Sequence, residues 1–151
     1  MSAPNRCLEC LSRTFELVDG TVIYPHRQDL AERKFWRCTG CGAYCGCHKG
    51  TRTPLGFPAG PMTRKARSKV HAIFDEIWRS APSHYKDVRR PEKVRQLARF
   101  RTYQYLAHRM NIDPNDCHMA MFTIQQCQEA FRIMRSVDYQ EVRDWWRAKK
   151  A

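Results

Sequence analysis

Two hydrophobic periods divide this chain of 151 residues. Before residue 50 the apolar positions come in short runs of period two. Arg13-Thr14-Phe15-Glu16-Leu17-Val18 alternates and then meets Asp19-Gly20. Thr21-Val22-Ile23-Tyr24 follows, rich in β-branched and aromatic residues, until Pro25 closes it. Asp-Gly between two such runs predicts a β-hairpin. Asp29 to Arg33 reads as a short helical turn, and Lys34-Phe35-Trp36-Arg37 as a further strand.

After residue 60 the period changes to that of a helix. Ala66, Val70, Ile73, Phe74, Ile77 and Trp78 recur at spacings of three and four, so a helix is predicted from Pro61 to Arg79. Proline suits its first position, because no N–H is needed there. Ser80-Ala81-Pro82-Ser83-His84 interrupts it. A second helix is predicted from Pro91 to Met110, with Val94, Leu97, Ala98, Tyr105 and Leu106 on its apolar side. Thr123-Ile124-Gln125-Gln126 has the form of a capping box and opens a third helix. A fourth runs from about Tyr139 to Lys149. Between the two regimes, Lys49 to Pro61 is punctuated by Gly50, Pro54, Gly56, Pro58 and Gly60. Leu55 and Phe57 in that connector predict packing across the strands instead of a free linker.

The β segment also carries paired cysteines. Cys7-Leu8-Glu9-Cys10 is answered by Cys38-Thr39-Gly40-Cys41, with 27 residues between the pairs. Two Cys-x-x-Cys hooks supply the four thiolates of a tetrahedral structural zinc, and the interval suits a zinc ribbon. The predicted fold class is therefore α+β. A zinc ribbon of short antiparallel strands (residues 5–50) packs on a basic body of about four helices (residues 51–151). One structural Zn2+ is expected, with Cys7, Cys10, Cys38 and Cys41 as ligands. Eight cysteines behind an N-terminus without an apolar leader point to metal-binding thiolates in a reducing, cytoplasmic setting. No apolar run approaches the roughly 20 residues that span a bilayer.

Charge adds a partner class. The formal net charge is +12, and residues 51–110 carry nearly all of the excess. Arg64, Lys65, Arg67 and Lys69 crowd the first turns of a helix, where cations oppose the helix dipole. Arg95 and Arg99 extend the basic positions along the next helix. These six are the candidate nucleic-acid contacts, predicted to act through the phosphate backbone without strong sequence preference. An acidic protein is the alternative partner. Phe100, Tyr103 and Trp36 would add stacking where exposed.

Taken together, several motifs carry a family resemblance. They are Cys7-x-x-Cys10, Ile23-Tyr24-Pro25, Phe35-Trp36-Arg37-Cys38-x-x-Cys41-x-Ala43-Tyr44, Gly46-Cys47-His48, Pro54-Leu55-Gly56 and Arg64-x-x-Arg67. His71-Ala72-x-Phe74-Asp75-x-x-Trp78, Tyr105-Leu106-Ala107, Cys117-His118-Met119-Ala120-Met121-Phe122 and Gln126-Cys127 continue the series. In these the chain resembles a family of small phage and prophage proteins that contain a zinc finger, over residues 6 to 130 or so. The resemblance implies a zinc-bearing accessory protein of a phage or integrated element, and supplies no reaction. Cys45 departs from the pattern, where an aliphatic residue is expected.

Chemistry beyond the zinc has one candidate cluster: Cys47, His48, His71, Asp75, His118 and Cys127. His71 and Asp75 lie one helical turn apart and share a face. Three readings stand open: a hydrogen-bonded polar seam, a second metal site, and a catalytic His–Asp pair in a small metal-dependent hydrolase. No zinc-deaminase signature, His-Glu-x-x-His or phosphate loop is present. The sequence thus favours a nucleic-acid-binding accessory protein over an interaction module that inhibits a host factor or defence system, and either over an enzyme. It leaves the oligomeric state open.

Overall fold

The computed structural model describes residues 3–151. The chain divides into two compact units, the first running to Lys65 and the second from Ala66 to Ala151.

The first unit is built on a three-stranded antiparallel sheet in the order β1 (Phe15–Asp19), β2 (Lys34–Cys38), β3 (Tyr44–Gly46). β1 runs beside β2 from Phe15↔Cys38 to Asp19↔Lys34, and β2 beside β3 from Phe35↔Gly46 to Arg37↔Tyr44. The sequence expectation fails at one point here. Asp19-Gly20 does not turn a hairpin, and Thr21–Tyr24 is not a strand. Gly20–Ile23 forms a short helical turn, α1, and the true partner of β1 is β2.

Tertiary contacts override local β propensity at this turn. The Tyr24 hydroxyl lies 2.6 Å from that of Tyr44, and its ring meets Phe35 and Tyr44 edge-on at 5.8 Å. Placing that ring in the aromatic cluster pulls the Val-Ile-Tyr run out of extended geometry. Gly20 serves close approach instead of hairpin closure. It is buried, its N–H donates to the Arg33 carbonyl at 2.7 Å, and a Cβ there would lie 1.7 Å from the Leu30 carbonyl oxygen.

The connector after β3 joins the sheet through its backbone, although Leu55 itself stays exposed. Tyr44 bridges to Ala59 and Cys47 to Pro54. The Leu55 N–H donates to the Gly46 carbonyl at 2.9 Å. Pro58 and Ala59 are buried as a result. The unit boundary accordingly falls after this segment, inside α2 (Pro61–Arg79).

The second unit comprises the rest of α2 with α3 (Pro91–Met110), α4 (Ile124–Met134) and α5 (Tyr139–Lys150). Each helix matches its predicted span closely, because each has a readable stop or start. Asn111 ends α3 in the left-handed conformation, at φ 56°. Thr123 and Gln126 form the reciprocal capping box at the head of α4, at 3.0 and 3.1 Å. Asp138 caps α5 through the Glu141 N–H at 3.0 Å. Phe74, Leu106, Phe122, Met134, Tyr139 and Val142 fill the shared core and are fully buried.

Gly20→Ala tests the corrected topology. The new methyl group must displace backbone, so a loss of at least about 2 kcal/mol is expected. Chemical denaturation of the zinc-loaded protein measures it; an unchanged midpoint rejects the close approach at Leu30.

Candidate metal centre and basic surfaces

The two Cys-x-x-Cys hooks fold as near copies of each other. In the first, the Cys7 N–H donates to Ser12 O and the Leu11 N–H to Cys7 O, both at 2.8 Å. In the second, the Cys38 N–H donates to Ala43 O at 2.7 Å and the Gly42 N–H to Cys38 O at 2.9 Å. Each loop turns sharply after its second cysteine through a left-handed residue, Leu11 at φ 62° and Gly42 at φ 80°. Glycine adopts that conformation freely, whereas leucine does so at a cost. The turns aim backbone amides at sulfur. Those of Glu9 and Cys10 reach Cys7, those of Gly40 and Cys41 reach Cys38, and that of Ala43 reaches Cys41.

The four sulfurs converge. Cys7 Sγ lies 3.6 Å from Cys41 Sγ, and Cys10 Sγ 3.5 Å from Cys38 Sγ. All four donor atoms lie within 4.8 Å of one another. A zinc tetrahedron with Zn–S of about 2.3 Å has edges of about 3.8 Å. The separations are far too long for a disulfide, whose sulfurs sit about 2.05 Å apart. Electrostatics agree with a shared cation. Burial alone would raise the Cys38 thiol, but the amides of Cys41 and Gly40 and the neighbouring sulfurs bring it down to about 7. Burial and the three other sulfurs push Cys41 up to about 12. One thiolate therefore forms readily and the last resists, unless a dication neutralises the set. The donors fit zinc, and four sulfurs leave no open position for a reactive water.

A family model described as a zinc-finger-containing domain matches residues 3–137. The chain belongs to this family. No curated protein and no solved structure matches it. The match supports zinc at the cysteine cluster, and it ends before α5 begins.

The other candidate residues sort differently. Among the described residues, the four cysteines are the single group of three or more donors close enough to share an ion. In the first unit, Cys47 is buried, which raises its thiol, and His48 is exposed beside it. In the second, His71 Nδ1 lies 3.0 Å from Asp75 Oδ2. Asp75 also accepts from Trp78 Nε1 at 2.8 Å and lies 3.4 Å from Arg79. That carboxylate is a brace along one face of α2. His118 packs its ring on Tyr103 at 5.3 Å. Cys127 is buried and its thiol raised by that burial, with Arg67 opposing. A second metal site is thus not assembled from His71, Asp75, His118 and Cys127.

Several of the expected nucleic-acid contacts are occupied inside the protein. Arg64 donates to the Ala59 carbonyl and stacks 3.9 Å above the Tyr44 ring. Arg67 donates to the Phe122 carbonyl at 3.0 Å. Arg95 pairs with Glu92 and reaches the Arg79 carbonyl at 3.3 Å. Lys65, Lys69 and Arg99 are exposed, Arg99 over the Tyr103 ring.

Sequence reasoning missed two features. Glu9, inside the first hook, accepts from the Gly60 N–H at 3.0 Å and the Thr63 hydroxyl at 2.5 Å, which ties that hook to the start of α2. The second is a cationic pocket of about 490 Å3 bordered by Arg101, Arg143, Arg147, Lys150, Tyr85 and Trp146. Its signal was present: Arg143, Trp146, Arg147 and Lys150 fall at i, i+3, i+4 and i+7, one face of a helix. Charge balance over the C-terminal third concealed it.

Two outcomes test the centre. Cys10→Ser and Cys38→Ser lose the single bound zinc and the sheet signal in circular dichroism, whereas Cys47→Ser keeps both; a metal-free preparation with an intact fold rejects the site. Leu11→Gly relieves the left-handed leucine and stabilises the zinc-loaded protein by up to about 1 kcal/mol in thermal denaturation.

Proposed function

We propose that this zinc-finger-containing protein binds nucleic acid, with single strands preferred, through the cationic face of its helical unit. The carrying observation is the pocket between Tyr85, α3 and α5. Its side chains supply four cations and two aromatic rings, and no carboxylate side chain lines it. Arg143 donates to the His84 carbonyl at 2.6 Å and Arg101 to the Tyr85 hydroxyl at 3.3 Å, while Arg147 and Lys150 are exposed.

The cations and rings are interleaved. Trp146 meets Phe100 edge-on at 5.8 Å, with Arg101 at 5.5 Å and Lys150 at 5.1 Å from its ring. Arg143 stacks on Tyr85 at 4.2 Å, and Phe100 is 53% exposed. Cations held beside aromatic faces are the pattern that tracks a phosphate backbone while bases stack. The carboxylates of α5 lie elsewhere: Glu141 accepts from the Tyr105 hydroxyl, and Asp144 from Gln140 at 2.9 Å. The helix therefore separates its charges by face. An acidic protein partner would use the same cations, but it gives the interleaved rings no role. The setting of a phage or prophage accessory protein belongs to this reading through the resemblance of the motifs. The closed zinc centre speaks against metal-dependent hydrolysis.

Fluorescence anisotropy with labelled single- and double-stranded oligonucleotides, at several salt concentrations, decides the matter. Binding should weaken steeply with salt, since each phosphate contact on a single strand contributes a slope of about 0.7. Arg147→Glu with Lys150→Glu should lower affinity by about tenfold or more and flatten that slope. Trp146→Ala should cost about 1–3 kcal/mol on single strands. Zinc content and helicity should stay unchanged in each. Absence of binding at low salt rejects the proposal.

A further inference from the structure

We propose that the zinc unit carries a separate ligand site: a phosphate-binding cleft between the turn after Cys47 and the entry to β2. It lies wholly within the first unit and does not rest on the helical surface.

The cleft is a cavity of about 650 Å3. Arg33 and Lys34 line it from the entry to β2, and His48, Lys49 and Arg52 from the turn. Asp29 and Glu32 are the carboxylates that face it. Their effect is reduced by pairing. Asp29 is held by Arg27 through two hydrogen bonds of 2.8 and 2.6 Å, and Lys34 is matched by Asp19. Arg33, Lys49 and Arg52 then outnumber Glu32, although Arg33 also acts on Asp29 across the cleft. Among the described residues, none of the three has a carboxylate within ion-pair distance. A concave site with a net cationic excess and both guanidinium and ammonium donors suits the several oxygens of one phosphate group.

The backbone that carries Lys49 and Arg52 is braced. Trp36 Nε1 donates to the Arg52 carbonyl at 2.7 Å. The His48 N–H donates to Thr53 O at 2.9 Å, and the Cys47 N–H to Lys34 O at 3.2 Å. Thr51 Oγ1 donates to His48 O at 2.9 Å and accepts from the Thr53 N–H at 3.1 Å. Gly50, at φ 72°, lets the four residues from His48 to Thr51 close, with the Thr51 N–H on His48 O at 3.0 Å. Pre-ordering of this kind lowers the entropic cost of capturing an anion. The arrangement also gives Cys47-His48 a place: a thiol in the cavity wall and an imidazole at its rim.

The Trp36 indole reports on this turn. In zinc-loaded, 15N-labelled full-length protein, its resonance and the amides of Lys49 to Thr53 are followed during titration. The probes are inorganic phosphate, a nucleoside 5′-monophosphate, a short single-stranded oligonucleotide and a polyglutamate peptide, with chloride at matched ionic strength as control. Saturable shifts from phosphate-bearing probes are expected, weakened about tenfold or more by Lys49→Glu with Arg52→Glu. Arg33→Gln should weaken them too, and zinc content reports whether each variant is folded. Shifts from all three phosphate probes place recognition in the phosphate group itself; shifts from the oligonucleotide alone make a polynucleotide backbone its source. Shifts retained in Arg147→Glu with Lys150→Glu separate this cleft from the helical surface. No response to any phosphate probe, an equal response to chloride, or a response to polyglutamate as strong as to phosphate overturns the proposal.

Discussion

Four sulfur atoms occupy a space where four negative charges cannot coexist unaided. That constraint organises the first unit. The Cys7–Cys41 and Cys10–Cys38 approaches of 3.6 and 3.5 Å cross-link the start of the chain to the end of β2. The apolar cluster at the hooks is little more than Cys7, Cys38 and Ala43, with Phe15 packed beside it, and Phe35, Pro58 and Ala59 are buried further along the sheet. So little apolar burial does not offset the entropy of ordering these loops. The metal supplies the remainder, and metal affinity becomes folding free energy. The left-handed Leu11 and the amides aimed at sulfur are tolerable because coordination over-determines the loops. Glu9 then extends the same order outward, from the first hook to the residues that begin α2.

How far the sequence could be read depended on whether each signal was local. Helix spans were legible because their boundaries are written in adjacent residues: Pro61, Pro91, the Thr123–Gln126 box, Asp138. The zinc hooks were legible for the same reason, since each pair lies within four residues. The hairpin at Asp19-Gly20 was misread because its cause is distant. Tyr44 and Leu30 decide the conformation of residues 20–24, through a hydroxyl contact and a steric limit that no local window contains. The third strand, Tyr44–Gly46, is short and owes its existence to β2 on one side and to the Ala59 bridge.

The basic surface shows a different limit. Counting cations pointed to residues 51–110, yet a count does not say which cations are already in use. Arg64 and Arg67 crowd the first turns of α2, but each spends its guanidinium on a carbonyl of its own unit. An arginine can brace a backbone oxygen and a ring at once, so it is a common structural cross-link as well as a common phosphate ligand. The same residue type thus enters the sequence for two reasons that composition does not distinguish.

What distinguishes them is helical phase together with neighbours. On α5 the acidic residues are drawn aside, Glu141 to the Tyr105 hydroxyl and Asp144 to Gln140. Arg147 and Lys150 are left exposed on a face that Trp146 shares. A segment whose charges cancel in sum can still project a field, because the field depends on where the unpaired charges stand and falls off over about 10 Å in ordinary salt. The zinc unit obeys the same logic: its cations outnumber its carboxylates, and Arg27–Asp29 and Lys34–Asp19 remove matched pairs and leave Arg33, Lys49 and Arg52 on one cleft. In both units, internal pairing neutralises some of the cations, and the grouping of those left over is what the two proposed anion sites rest on.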